Sequence, residues 1–341
     1  MTLTHLLEVE DLNVWFSGHG AAEVHAVRGV SFTLDRQEKL GLVGESGCGK
    51  TTTILALMGL LPSNATVSGR ILLNGTDLLS GGDRTFQPHR WTDLAMVFQG
   101  AMNAFNPVLR VGRQIADAIH IRGGLKRGAA TARATDLLEM VGIPRQRAGD
   151  YPHQFSGGMK QRAAIALALA CSPDILLADE PTTALDVIVQ AQVIELLERL
   201  CDEQGLALVL VSHDLPLVAQ VCERINVMYA GRVAESGLVT QLQGHTAHPY
   251  TELLFAATPD IEGGEPPASI PGVPPRLDQE VVGCSFRPRC PSAIDRCASE
   301  EPELKRVGSG QLAACHLNDL RPPAGLAGTP TDTDRAGGRA R

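Results

Sequence analysis

Residues 44 to 51 read GESGCGKT and fit the pattern G-x-x-x-x-G-K-[ST]. Gly44, Gly47 and Gly49 let a backbone fold tightly with its N–H groups pointing inward, which makes a cradle for phosphate oxygens. Lys50 is placed to reach the β- and γ-phosphates of a nucleoside triphosphate, Thr51 to hold a Mg²⁺ ion, and Thr52 continues the contact surface. A glycine turn alone would be unremarkable. The flanks decide the reading: KLGLVG before it is a buried strand and TTTILALMGLL after it opens an apolar helix, whose positive end adds to the anion site.

DILLADE, residues 174 to 180, supplies what such a loop lacks. An aliphatic strand ending in Asp179 puts a carboxylate beside the Mg²⁺ shell, and Glu180 is placed to polarise a water for in-line attack on the γ-phosphate. FSGGMKQR, residues 155 to 162, opens a further apolar helix with Ser156, Gly157 and Gly158. It is a second anion-binding helix start about a hundred residues from the first. One ATP does not need two.

These groups require an α/β scaffold to hold them. KLGLVG and DILLADE are continuous, aliphatic and bounded by turns, as suits strands buried on both faces of a parallel sheet. LLEVEDLNVWF, HAVRGVSFTL and GRILLNGTDL are short alternating segments, expected as an antiparallel lobe. TARATDLLEMVGI places Ala134, Leu137, Leu138 and Val141 at helical spacing, and VIVQAQVIELLERLCDEQG does the same before Gly205. Composition changes near residue 240, and PDIEGGEPPASIPGVPPRL at 259 to 277 is too rich in Pro and Gly for regular structure. The expected organisation is a nucleotide-binding domain over 1–240 with a helical insert at about 101–165, a C-terminal domain over 241–320 and a disordered tail over 321–341.

Composition excludes other classes. The chain has 341 residues, 44% of them apolar, and a net charge of −8 without a basic stripe, which argues against a nucleic-acid partner. The longest apolar run, AAIALALAC at 163 to 171, is too short to span a bilayer, and the N-terminus lacks the cationic and apolar segments of a secretory signal. A cytoplasmic location is expected, where disulfides are rare.

The phosphate loop, the SGG signature and the acidic strand end, in this order, resemble the nucleotide-binding subunit of an ABC transporter, with its P-loop core of RecA-like sheet, antiparallel β-lobe and helical subdomain. In that family the signature of one subunit completes the ATP site of another, so the resemblance implies ATP held across a dimer. It also implies a Q-loop role for Gln99 in MVFQ, a D-loop at Ala184, Leu185 and Asp186, and a switch role for His213 in LVLVSHD against the γ-phosphate. Phe16, or else Trp15, would stack on adenine. NPVLRVGRQI, ADEPTTALDVIVQAQV, HPYTELLFAATP, IPGVPPRL and GCSFRPRC narrow the likeness to the dipeptide, oligopeptide and nickel importer branch, on the side of its D-type ATPases. That branch implies a peripheral ATPase on the cytoplasmic face of the membrane that drives peptide import, with a second ATPase subunit, two transmembrane permease subunits and an external solute-binding protein as partners. Nickel import is the alternative; an exporter ATPase and a soluble nucleic-acid ABC ATPase stand further off. GAMNAFNP at 100 to 107 departs from the acidic residue and proline that the branch has directly after its glutamine.

Cys284, Cys290, Cys297 and Cys315 are separated by five, six and seventeen residues, with no C-x₂₋₄-C knuckle of the kind structural zinc prefers. The spacing leaves zinc, an inorganic cluster and packed free thiols open, with His316 as a substitute ligand. The family resemblance implies a [4Fe–4S] cluster. Cys171, Cys201 and Cys222 are expected to pack as small hydrophobes, and Cys48, inside the phosphate loop near a helix start, is expected to have a stabilised thiolate.

Overall fold

The computed structural model describes residues 5–18, 22–100, 104–183, 185–257, 269–279 and 281–320. The chain begins with β1 (Leu7–Phe16), β2 (Val24–Leu34) and β3 (Lys39–Val43), enters α1 (Lys50–Leu57), and returns through β4 (Ala65–Leu73) and β5 (Thr76–Asp77). A short α2 (Asp83–Phe86) and β6 (Leu94–Val97) lead to three helices, α3 (Val111–Arg122), α4 (Arg127–Met140) and α5 (Gly157–Ala168). Then come β7 (Ile175–Asp179), α6 (Val187–Gln204), β8 (Ala207–Ser212), α7 (Leu215–Val221), β9 (Arg224–Tyr229), β10 (Arg232–Leu238), α8 (Val239–Gly244) and α9 (Pro249–Ala256). Two very short strands, β11 (Lys305–Arg306) and β12 (Leu312–Ala313), follow.

Two sheets result. The smaller is antiparallel with order β2-β1-β4-β5, and the larger has order β11-β12-β10-β9-β3-β8-β7-β6. Within the larger sheet β9, β3, β8, β7 and β6 run parallel, with β3 between β8 and β9. Strands β3, β7 and β8 are buried at every residue, as their unbroken aliphatic runs require. Their side chains alternate between two cores. Leu40, Leu42, Ile175, Leu177, Val209 and Val211 face the space shared with α1 and the antiparallel lobe, whereas Val43, Leu176, Ala178, Leu208 and Leu210 face the helical side.

The helical region lies between β6 and β7. Its last helix, α5, runs through the expected edge at residue 165 to Ala168, and residues 101–103 at its near edge lie outside the described residues. Asp186 caps α6 by accepting from the Val189 N–H at 3.0 Å, and Gly205 ends that helix at φ 65°.

The expected boundary at residue 240 does not mark a break in packing. β12 pairs with β10 in the large sheet, while Tyr250 and Phe286 are fully buried in the core of the helical side. Glu235 on β10, itself buried, accepts from the N–H groups of Ala247 (2.7 Å) and His248 (3.1 Å) and from Gln311 Nε2 (2.7 Å). The C-terminal segment is therefore built onto the sheet that carries the phosphate loop. The described part of the Pro-rich linker, 269–277, forms no helix or strand; its earlier residues and the tail 321–341 lie outside the described residues.

Candidate functional site

The loop after β3 turns back on itself before α1. Gly44 sits at φ 150° and Gly49 at φ 105°, and a Cβ would meet Met228 O at 2.2 Å in the first case and Ala26 O at 2.6 Å in the second, so both positions need glycine. Lys50, only 5% exposed, lies under the loop and donates from Nζ to the carbonyls of Gly44 (2.7 Å) and Glu45 (2.9 Å). Its charge is thereby held at the centre of the cradle.

Strand β7 delivers Asp179 directly opposite the start of α1. The Thr51 hydroxyl donates to Asp179 Oδ1 at 3.0 Å. Burial pushes the Asp179 carboxyl above its usual range, against which the Thr51 hydrogen bond works only in part. Two oxygen donors, one of them a desolvated carboxylate, suit a hard divalent cation, so Thr51 and Asp179 fit the Mg²⁺ expected there.

The next residue, Glu180, takes a left-handed backbone at φ 42°, unusual for a residue with a side chain, and its N–H donates to Val211 O at 3.0 Å. Three side chains from three segments converge on its carboxylate. Gln99 Nε2 donates to Oε2 at 3.0 Å, the Thr183 hydroxyl to the same oxygen at 3.1 Å, and His213 Nδ1 to Oε1 at 3.1 Å. Thus β6, β7 and β8 each bring one chemical group to their carboxyl ends, where an α/β sheet places ligands. Thr183 was not singled out in the sequence, although its place three residues after Glu180 was a local signal.

Ser156 caps α5 through a hydrogen bond from the Met159 N–H at 3.3 Å, with Gly157 and Gly158 in the first turn. A Cβ on Gly158 would meet Val189 Cγ1 at 2.7 Å, so this turn packs closely on α6. Among the described residues, no hydrogen bond or ion pair joins Ser156, Gly157 or Gly158 to the phosphate loop. Phe16 packs partly buried against the core beneath the antiparallel lobe, while Trp15 stacks on His25 with centroids 4.4 Å apart. Ala184 of the expected D-loop lies outside the described residues, and Asp186 is the cap of α6.

Cys48 corrects an expectation. Its side chain is buried and its thiol is pushed up, burial outweighing the nearby Lys50 at 3.7 Å, so the loop does not hold a stabilised thiolate. Cys201 and Cys222 are buried, as small hydrophobes are, and Cys171 is half-buried.

The C-terminal cysteines approach one another without forming a ligand shell. The Cys284 N–H donates to Cys297 O at 2.9 Å, and Cys315 is close enough to Cys284, Cys290 and Cys297 to feel their charge, its thiol pushed up to about 11 chiefly by burial. Yet among the described residues no group of three or more His, Cys, Asp or Glu side chains is placed to hold a metal ion. His316 Nε2 instead bonds to Glu300 O at 2.9 Å. As they stand, the four cysteines are not grouped in a way that fits the expected cluster.

The model for the ABC transporter family matches residues 27–183, and that for the oligopeptide/dipeptide transporter C-terminal region matches residues 234–297. The probable peptide ABC transporter ATP-binding protein y4tR of Sinorhizobium fredii is 46% identical over 316 residues, covering 91% of this chain and 94% of that protein. The dipeptide transport ATP-binding protein DppD of Escherichia coli K12 is 44% identical over 330 residues, covering 96% and 99%. Among solved structures, the dimeric cassette MJ0796 bound to ADP and Pi matches with a TM-score of 0.60 at 28% identity, covering 68% of this chain and 98% of that one. Among the described residues no helix is long and apolar enough to cross a membrane.

Proposed function

The chain belongs to the ATP-binding proteins of the oligopeptide and dipeptide ABC transporters, and from this we propose that it hydrolyses ATP to drive peptide import through a separate membrane channel. The observation that carries the reading is the grip of Gln99, Thr183 and His213 on Glu180, next to the Thr51–Asp179 pair.

Gly44 to Thr52 would cradle the phosphates, with Lys50 exchanging its two loop carbonyls for β- and γ-oxygens. Phe16 would stack on adenine. Thr51 and Asp179 would hold Mg²⁺, whose charge offsets that on the β- and γ-phosphates. Glu180, aimed by its three partners, orients the attacking water, and His213 then turns to the γ-phosphate.

Ser156, Gly157 and Gly158, unconnected to this chain's own loop, would complete the site of a second ATPase subunit, as the dimer of the related cassette suggests. Two permease subunits and an external solute-binding protein make up the remaining partners, with the chain on the cytoplasmic face of the membrane. Support for a permease contact comes from an apolar groove of about 460 Å³ beside Gln99, lined by Met58, Leu60, Met96, Phe98 and Leu167. Phe98, 44% exposed, stands directly before the glutamine.

The [4Fe–4S] cluster rests on the resemblance and on the approach of four cysteines; its formation would require Cys284, Cys290, Cys297 and Cys315 to close up around it. Iron and acid-labile sulfide in equal amounts, about four each per chain, would establish it in anaerobically purified protein, and their absence would remove it.

The function is tested by reconstituting the transporter in vesicles with wild-type or Glu180→Gln subunit. Peptide uptake and ATP hydrolysis should both depend on Glu180. Uptake of nickel and not of peptides would refute the substrate, and full hydrolysis by the variant would refute the mechanism.

A further inference from the structure

Arg289 lies between Cys284 and Cys290 in a stretch that no part of the ATP mechanism uses, yet it is among the most buried charges of the chain, at 6% exposure. Its guanidinium forms a fork on Glu45, the second residue of the phosphate loop. Nη1 donates to Oε2 at 2.6 Å and Nη2 to Oε1 at 2.9 Å, across 244 residues of sequence. The remaining donors are also taken: Nε reaches Pro271 O at 2.7 Å, and Nη1 reaches the Tyr229 hydroxyl at 3.3 Å.

A second contact grips the same loop residue through its backbone. The Glu45 N–H donates to the Tyr250 hydroxyl at 3.0 Å, and the Tyr250 ring packs against Tyr229 and Phe286 with centroids 4.6 and 5.3 Å away. Phe286 follows Cys284 by two residues. Both α9 and the cysteine-bearing segment therefore end on one loop residue, while the linker holds the arginine through the Pro271 carbonyl.

Glu45 is an acid in a loop built to receive a polyanion, and its carbonyl is one of the two that hold Lys50. At an effective dielectric constant of about 20, an uncompensated carboxylate within about 12 Å of a phosphate weakens its binding by roughly tenfold or more. The Arg289 fork both cancels that charge and fixes its direction.

We propose that Arg289 is a positioning residue of the phosphate loop: it neutralises Glu45 and holds it away from the triphosphate, so that the C-terminal segment sets how tightly the loop takes ATP. This rests on the reading of Gly44 to Thr52 as the ATP site. The role belongs to ground-state binding, and its loss should raise the KM for ATP more than it lowers kcat.

The test is equilibrium titration of the full chain with a methylanthraniloyl derivative of ATP, comparing wild type, Arg289→Met and the double variant Arg289→Met/Glu45→Gln. Arg289→Met should bind about tenfold or more weakly, and removing the stranded carboxylate in the double variant should restore affinity to within about threefold of wild type. Unchanged binding by Arg289→Met, or a double variant as weak as Arg289→Met, would overturn the proposal, the latter because a merely structural loss is not repaired by deleting a charge. Should Arg289→Met fail to fold, Arg289→Lys against Arg289→Gln carries the same contrast. Lys should stay near wild type and Gln should be weak; equal affinities would reject the charge argument. Wild-type protein that bound no nucleotide would instead refute the ATP site itself.

Discussion

The hydroxyl of Thr51 and the carboxylate of Asp179 meet at 3.0 Å across 128 residues of sequence, one at the start of α1 and the other at the end of β7. The pair defines where a divalent cation would sit, and it explains why Asp179 tolerates burial that raises its pKa. A buried carboxylate without its cation destabilises the fold at neutral pH, because its folded-state pKa lies above the unfolded one. The penalty fades as pH falls through the folded pKa. Asp179→Asn should therefore lower Mg²⁺-dependent ATP hydrolysis about 10²-fold or more while leaving the nucleotide-free protein as stable or about 1 kcal/mol more so. Paired turnover and urea-melting measurements at pH 7 would show both changes.

Glu180 and its three donors supply a graded series. Glu180→Gln should cost about 10²-fold or more in kcat with ATP binding kept, since the amide retains the shape but not the charge that polarises water. Thr183→Val, which removes one of the donors at 3.1 Å, should cost less, about threefold to tenfold, and mainly in kcat. Steady-state ATPase assays give the order; a Thr183→Val defect confined to KM would place that hydroxyl elsewhere in the mechanism.

How much of this was readable in advance depends on whether a group's partners are near it in sequence. Gly44 to Thr51 and Asp179–Glu180 are contiguous motifs whose strand flanks are visible as aliphatic runs, and the structure sets them together as those flanks require. The pairing of Arg289 with Glu45 is not legible in the sequence, because nothing local in either stretch refers to the other. β11 and β12 have two residues each, too few to show an alternating pattern, so the C-terminal segment looked like a separate unit and not an extension of the main sheet. The cysteine spacing left zinc, a cluster and packed free thiols open, because spacing alone does not say whether four thiols form a ligand shell; among the described residues they do not.

His248 gives the fold an acid-sensitive point. Its Nδ1 accepts the Tyr250 N–H at 3.0 Å as the cap of α9, so the ring must be unprotonated there. Burial lowers its pKa to about 4, from an ordinary value of 6.5. Since the unfolded chain binds the proton more readily, this contribution is fully present above pH 6.5 and is lost as pH falls toward 4, amounting to about 3 kcal/mol over the window. His248→Asn, which can keep a cap without titrating, should flatten the dependence of the unfolding midpoint on pH between those limits. A variant curve parallel to wild type would show that another group dominates.

Cys48 should be inert in the folded protein. With its thiol buried and pushed up, alkylation by iodoacetamide at pH 7.5, a condition of about 10% thiolate or less for an ordinary thiol, should leave it unmodified until denaturant is added. Peptide mapping by mass spectrometry reads this directly. Rapid native labelling, with ATP protecting the site, would mean that the loop opens far more often than its packing implies.

The distance in sequence between Glu45 and Arg289 also sets an order of events during synthesis. With translation adding roughly 5–20 residues per second, the phosphate loop leaves the ribosome on the order of ten to fifty seconds before the arginine that, on our proposal, neutralises it, since 244 residues separate them. The nascent chain thus carries a loop with an unmatched acid and a sheet still missing β12. On that proposal, a chain interrupted between His213 and Arg289 would hold every nucleotide motif and still take ATP poorly, which makes the segment around Arg289 a checkpoint on when the subunit becomes competent.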